Sequence, residues 1–297
     1  MTPGTPLALS RARQALGAVA LQYGYQVGAA GLLSLPFLTA IAASHISSFP
    51  EPDRLLFERG GVYLLEVLRS QQALLGAAVG PGLFLLGCLA LAALVPDWWV
   101  LKAFSRTRPA AKGCRGRHAL GRLGLLAMGT GLVRALLWVL ALSLGFLARS
   151  WFSDPADDRS GDLLLAAGVS LGLGLQLGTS LLHDLASASV VGHGASLRSA
   201  VARAGAAALA RGQARSLWIR YLGCRLGQLT LLVGSVWLLS VLDPGGPASS
   251  GSSHAGWHLL AHQAALLLGA ALRVVWLWQA ARSVESAPVP RHAEAFL

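Results

Sequence analysis

From Gln14 to Pro50 the chain carries no Asp, Glu, Lys or Arg, and the gap recurs from Ser70 to Pro96. A helix needs about 20 mostly apolar residues to cross a hydrocarbon core of about 30 Å. Six stretches meet that requirement, at about 15–43, 73–95, 123–148, 163–186, 217–242 and 257–281. Backbone groups in lipid must be satisfied within the segment, so these read as helices rather than strands. None shows the alternation of an outer-membrane barrel strand. The rest of the composition agrees. Only 12% of the 297 residues are charged, against about 25% in soluble domains. Hydrophobic residues make up 54% and the mean hydropathy is +0.57, which excludes a disordered chain. The expected fold is all-α: a polytopic membrane protein of six transmembrane helices with two interfacial amphipathic helices.

Loop charges set the expected orientation. Arg11 and Arg13 precede the first span; Lys102, Arg106, Arg108, Lys112, Arg115, Arg117 and Arg122 fill the second loop; Arg198, Arg203, Arg211 and Arg215 lie in the fourth. The opposite loops carry fewer basic residues and more acids, among them Glu51, Asp53, Asp157 and Asp158. The positive-inside rule then places both termini in the cytoplasm. Residues 1–14 form a cytoplasmic segment, 15–282 the six-helix domain, and 283–297 a disordered cytoplasmic tail. The first span is too long for a signal-peptide core of about 7–15 residues, so it is retained. Trp98, Trp99, Trp218, Tyr221, Trp276 and Trp278 fall at the inner interface, the depth such rings prefer. The interfacial helices are expected over Pro52–Arg69 and Ser196–Ala214, the second after a break at Gly192-His193-Gly194. Asp243–Ser253 reads as a flexible outer loop. Cys88, Cys114 and Cys224 show no CxxC and read as free thiols.

The net charge of +11 does not point to nucleic acid, because no aromatics interleave between Arg106 and Arg122. The basic second loop instead suits anionic inner-leaflet headgroups, where each Lys or Arg contributes about 1 kcal/mol. The lipid bilayer is therefore the expected partner, with a membrane protein or a second copy as a further one. Small residues four apart let helices approach closely in lipid. Gly168, Gly172, Gly174 and Gly178 mark the fourth span as a central helix, and Gly24/Gly28, Gly76/Gly80 and Gly223/Gly227 repeat the spacing.

Charged residues inside the spans are the strongest functional signal. Arg134, Arg225 and Arg273 lie between the inner interface and the midplane, where a charge costs at least about 2.5–3.5 kcal/mol and should face a partner. Asp184 is the acid expected to pair with at least one of them, Arg225 first, with Gln228 adding a hydrogen bond on the Arg225 face. The competing reading is that these Arg snorkel to phosphates and Asp184 is hydrated. On the outer side, His254, His258 and His262 recur every four residues, and His45 reaches the same face. Neutral imidazoles so spaced can hold zinc or copper, although a plain interfacial helix end would carry the same residues.

There is no P-loop, GxSxG elbow, HExxH or dinucleotide fingerprint, and no cofactor is expected. The stretch from His183 to Arg215 resembles uncharacterised bacterial multi-pass inner-membrane proteins. In these an Asp-x-Ala-Arg element precedes a short break and a cytoplasmic amphipathic helix. Asp184, Ala186, Ser196, Leu197 and Ala200 carry the resemblance; Ser187 stands where the family has Arg. It implies the six-span layout and no assigned activity. The expected function is non-enzymatic: a scaffold, partner subunit or envelope component. The rival is a transporter or permease for a small or anionic solute, and its signature would be a cavity reaching Arg225 and Arg273.

Overall fold

The computed structural model describes residues 5–42, 69, 72–104, 116–152, 158–210, 213–242 and 253–286. Among them the order is α1 (Thr5–Ala42), α2 (Gln72–Ala92), α3 (Leu94–Phe104), α4 (Gly116–Phe152), α5 (Asp158–His193), α6 (Leu197–Leu209), α7 (Ala214–Leu242) and α8 (Ser253–Ser286). No strand occurs among the described residues. Four stretches, Gly82–Phe104, His118–Trp151, Ser160–His193 and Leu259–Ser286, are long and apolar enough to cross a membrane. α1 and α7 are helical over the first and fifth expected spans. α1 starts at Thr5 and α8 runs to Ser286, so helix enters both terminal segments. The expected interfacial helix at Pro52–Arg69 and the Asp243–Ser253 loop lie almost wholly outside the described residues.

The long helices carry their apolar side chains outward. On α4, Leu125, Met128, Leu132 and Leu136 are each at least 60% exposed. Their three- and four-residue spacing makes one stripe. Water would not tolerate so extended an apolar face, whereas lipid solvates it.

The chain divides into two compact units, Met1–Asp97 with Gly223–Val275, and Trp98–Leu222 with Trp276–Leu297. In the first unit α1 packs on α2, and the Tyr25 hydroxyl donates to the Leu89 carbonyl at 2.6 Å. Tyr23 donates to Gln263 Oε1 on α8, also at 2.6 Å. The step from α2 to α3 is nearly continuous: Ala93 N–H donates to Leu89 O and Asp97 N–H to Ala93 O. Pro96 has no N–H to give, and the helical ladder resumes at Asp97.

In the second unit α4 and α5 form an antiparallel pair. From the open ends inward, Arg149 meets Asp162 at 3.6 Å, Gly145 lies on Gly168, and Gly172 lies under Trp138. Further along, Thr130 Oγ1 is 3.0 Å from His183 Nδ1. A Cβ on Gly168 would stand 2.9 Å from the Ala141 carbonyl oxygen, and one on Gly172 would stand 2.8 Å from the Trp138 ring. Close backbone approach therefore requires glycine at Gly168, and the Trp138 ring requires it at Gly172. Residues 184–190 of α5 are buried on every side, as a central helix requires. The other glycine pairs differ. Gly24, Gly28, Gly76, Gly80 and Gly223 have nothing within 4 Å of where a Cβ would stand, and Gly227 faces Leu272.

α5 ends at Gly194, whose φ of 63° suits glycine. Its freed carbonyl and that of Ala195 accept from Arg122 Nη1 at 2.7 and 3.1 Å. Ser196 then caps α6 by accepting from Ser199 N–H, and Ala200, Ala204, Ala207 and Ala208 bury one face of that helix.

Candidate functional site

The first unit contains a polar cavity of about 390 Å³ between helical segments of strongly apolar sequence. Each segment contributes through helical spacing. α1 supplies Gln22 and Gln26, one turn apart; α7 supplies Arg225, Gln228 and Leu232; α8 supplies Ala265, Gly269 and Arg273; the α2–α3 junction supplies Ala93 and Asp97. Gly269 matters because its carbonyl accepts from Gln228 Nε2 at 2.9 Å. That bond fixes the Gln228 amide, whose Oε1 accepts from Arg225 Nη1 at 3.3 Å. Arg225 is thus held by a neutral group three residues along its own helix.

Arg273 is held by a charged one. Its Nη2 lies 2.7 Å from Asp97 Oδ2, with side chains 11% and 18% exposed. This is a charge-assisted bond at short range. The two guanidiniums and one carboxylate leave the described lining with a surplus of one positive charge. Two acceptors around the site remain unused. Gln22, only 6% exposed, has a buried Oε1 with no hydrogen-bond partner among the described residues, and Asp97 Oδ1 is in the same position. Buried acceptors are normally satisfied, so both leave room for a donor that the described protein atoms do not provide.

The candidate polar residues fall in different places. Arg225, Gln228 and Arg273 line this cavity together. Asp184 belongs to the second unit, 2% exposed, and its Oδ2 accepts the Trp276 indole N–H at 2.8 Å. Trp276 in turn packs on Tyr221, ring centroids 4.9 Å apart, and Tyr221 meets Trp218 edge-on at 6.3 Å. Arg134 stands half-buried on α4 in that same unit.

Of the histidines, His45 lies outside the described residues. His254 and His258 fall on α8, but their side chains lie outside them too; His262 is exposed. Among the described residues no group of three or more His, Cys, Asp or Glu converges as a metal site would. In the basic loop, Lys102 lies over the Trp98 ring, 4.8 Å from its centroid. Arg106, Arg108, Lys112 and Arg115, and the Arg117 side chain, lie outside the described residues. Arg122 holds the α5 terminus as described above.

Asp97 is the site residue that sequence reasoning missed. It stands just past a charge-free run and before two tryptophans, and reads as the edge of the membrane. The signal was the apolar sequence resuming at Trp98-Trp99-Val100-Leu101, which carries the helix on to Phe104. Compared with family models, curated proteins and solved structures, the chain matches none.

Proposed function

We propose that the protein is a six-span bacterial inner-membrane protein with cytoplasmic termini, and that it binds a small anionic solute for passage across the bilayer. The observation that carries this reading is the cavity holding Arg225 and Arg273 among apolar helices. Its volume of about 390 Å³ is at the small end of ligand sites, which run from about 300 to 1,000 Å³. Its surplus positive charge favours an anion. The amides of Gln22, Gln26 and Gln228 supply both donors and acceptors to orient one. A guanidinium at this depth is expensive unless it does something. Here Asp97 pairs with Arg273, and Arg225, bonded to Gln228, lines the same space. In this scheme the protein is not an enzyme; binding and release are its whole chemistry.

Proteoliposomes loaded with labelled chloride, nitrate, acetate or lactate test the reading. Exchange of at least one should exceed that of empty vesicles and fall to their level in Arg225→Ala. Absence of exchange and of thermal stabilisation with all four would overturn it. Reporter fusions at both ends test the topology: a signal from the far face at either end refutes it.

A second reading, a scaffold or partner subunit, has one observation in its favour. Gly24 and Gly28 on α1, and Gly76 and Gly80 on α2, have open space where a Cβ would stand. A partner helix or a second copy could pack there. Leucine at Gly24 and Gly28 should then dissociate a complex seen by cross-linking in membranes, while leaving solute exchange intact.

A further inference from the structure

A second cavity, of about 490 Å³, lies in the second unit between the start of α7 and the end of α8. Two cations line it: Arg220 and Arg282. No acid is among its lining residues. Neither guanidinium makes a hydrogen bond or ion pair among the described residues. Arg282 is nevertheless held in place, because its guanidinium carbon sits 3.9 Å from the centroid of the Trp278 ring. Stacking of that kind fixes the plane of the group and leaves its edge N–H donors free to point elsewhere. Around the two cations stand short polar groups, Gln213, Ser216, Gln279 and Ser283. Gln279 has a buried Oε1 with no hydrogen-bond partner among the described residues. Its amide can turn to present either end to a ligand.

From this we infer that the cavity is a binding site for a phosphate group, held between Arg220 and Arg282 with hydroxyl and amide donors completing the shell. Three features decide for phosphate. Two unpaired guanidiniums facing one space make a doubly positive site, which a lone carboxylate would leave half-neutralised. A planar guanidinium edge gives two parallel N–H donors, the geometry that phosphate oxygens accept. The site also sits where the membrane-length stretch of α8 ends at Ser286, beside a tryptophan of the kind that favours headgroup depth. The phosphate can therefore come from an anionic lipid headgroup or from a free phosphate or phosphorylated solute. The two sources share the same recognition chemistry. This inference is independent of solute passage through the first unit's cavity.

Two arms separate the sources. In the first, inorganic phosphate is titrated onto protein in an uncharged detergent and the melting temperature is followed, with sulfate and chloride as comparisons. In the second, the melting temperature is compared in nanodiscs of phosphatidylcholine alone and with added phosphatidylglycerol. The wild type should be stabilised in at least one arm. The double variant R220Q/R282Q should lose that stabilisation, or bind phosphate at least about tenfold more weakly, a change of about 1.4 kcal/mol. R220K/R282K keeps the charge but not the fork and should recover only part. Stabilisation by phosphatidylglycerol alone assigns the site to a lipid; stabilisation by phosphate assigns it to a free ligand as well. Absence of any effect in both arms overturns the inference. So does equal stabilisation of wild type and double variant, because the effect would then belong to the basic surface at large. Both arginines are exposed, so the variants keep the fold, and an unchanged elution volume verifies it.

Discussion

Asp97 and Asp184 are two acids in helices of the same apolar character, and the protein surrounds them differently. Asp97 faces a cavity and neutralises its charge with Arg273 at 2.7 Å. Asp184 is 2% exposed and receives a hydrogen bond from an uncharged indole at 2.8 Å, inside a cluster of aromatic rings. The first arrangement spends an ion pair to keep space open. The second spends a tryptophan to keep space closed. The difference teaches that an intramembrane acid marks a site only when its surroundings leave room for a ligand. An acid packed by rings is a structural fixture. In the first unit the acid borders the cavity; in the second it is packed away from the Arg220–Arg282 cavity, whose lining holds no acid.

The largest expected effect lies in the glycine seam of the second unit. Gly168→Leu would force a side chain against the Ala141 carbonyl and Gly145 Cα, both backbone atoms that cannot swing aside. Overpacking of this kind costs about 1–3 kcal/mol or more, and the variant should lose most of its monodisperse yield in size-exclusion chromatography. Next comes the ion pair. Asp97→Leu leaves Arg273 without its carboxylate and should lower stability in a denaturant titration by up to about 3 kcal/mol. Adding Arg273→Leu should restore most of it, and a double variant as unstable as the single would mean that the pair is not what holds α3 to α8. Trp276→Phe removes the donor to Asp184 and should cost about 1.5–3 kcal/mol, the value of a hydrogen bond to a charged group. Tryptophan fluorescence would report the transition. Smallest in stability is Arg225→Ala, at about 1 kcal/mol, because the side chain is only half-buried and its bond to Gln228 is to a neutral group. The same variant should abolish solute exchange. That dissociation between stability and exchange would separate the cavity of the first unit from the glycine seam of the second, and its absence would merge them.

The helical layout was legible in the sequence because lipid imposes one demand, a run of apolar residues long enough to cross. The runs at 123–148 and 163–186 sit inside α4 and α5. In α5 the glycine spacing marked a helix contact at Gly168 and Gly172, whereas Gly174 has nothing within 4 Å of where a Cβ would stand. The same spacing in α1 and α2 did not, since glycine permits an approach without causing one. Gln228 beside Arg225 was legible from helical periodicity alone. The partner of Arg273 was not: Asp97 comes from a segment 176 positions away, and its place next to two tryptophans gave it the appearance of a surface residue. The Trp276 N–H that reaches Asp184 was not legible either, since an uncharged donor leaves no mark in a charge pattern.

The glycine seam between α4 and α5 brings backbone onto backbone at Gly145 and Gly168, too close for an acyl chain to slip between. Lipids therefore meet the two helices as one plank rather than two poles. A change in bilayer thickness must tip the plank as a whole, and lateral pressure cannot prise it open along its length.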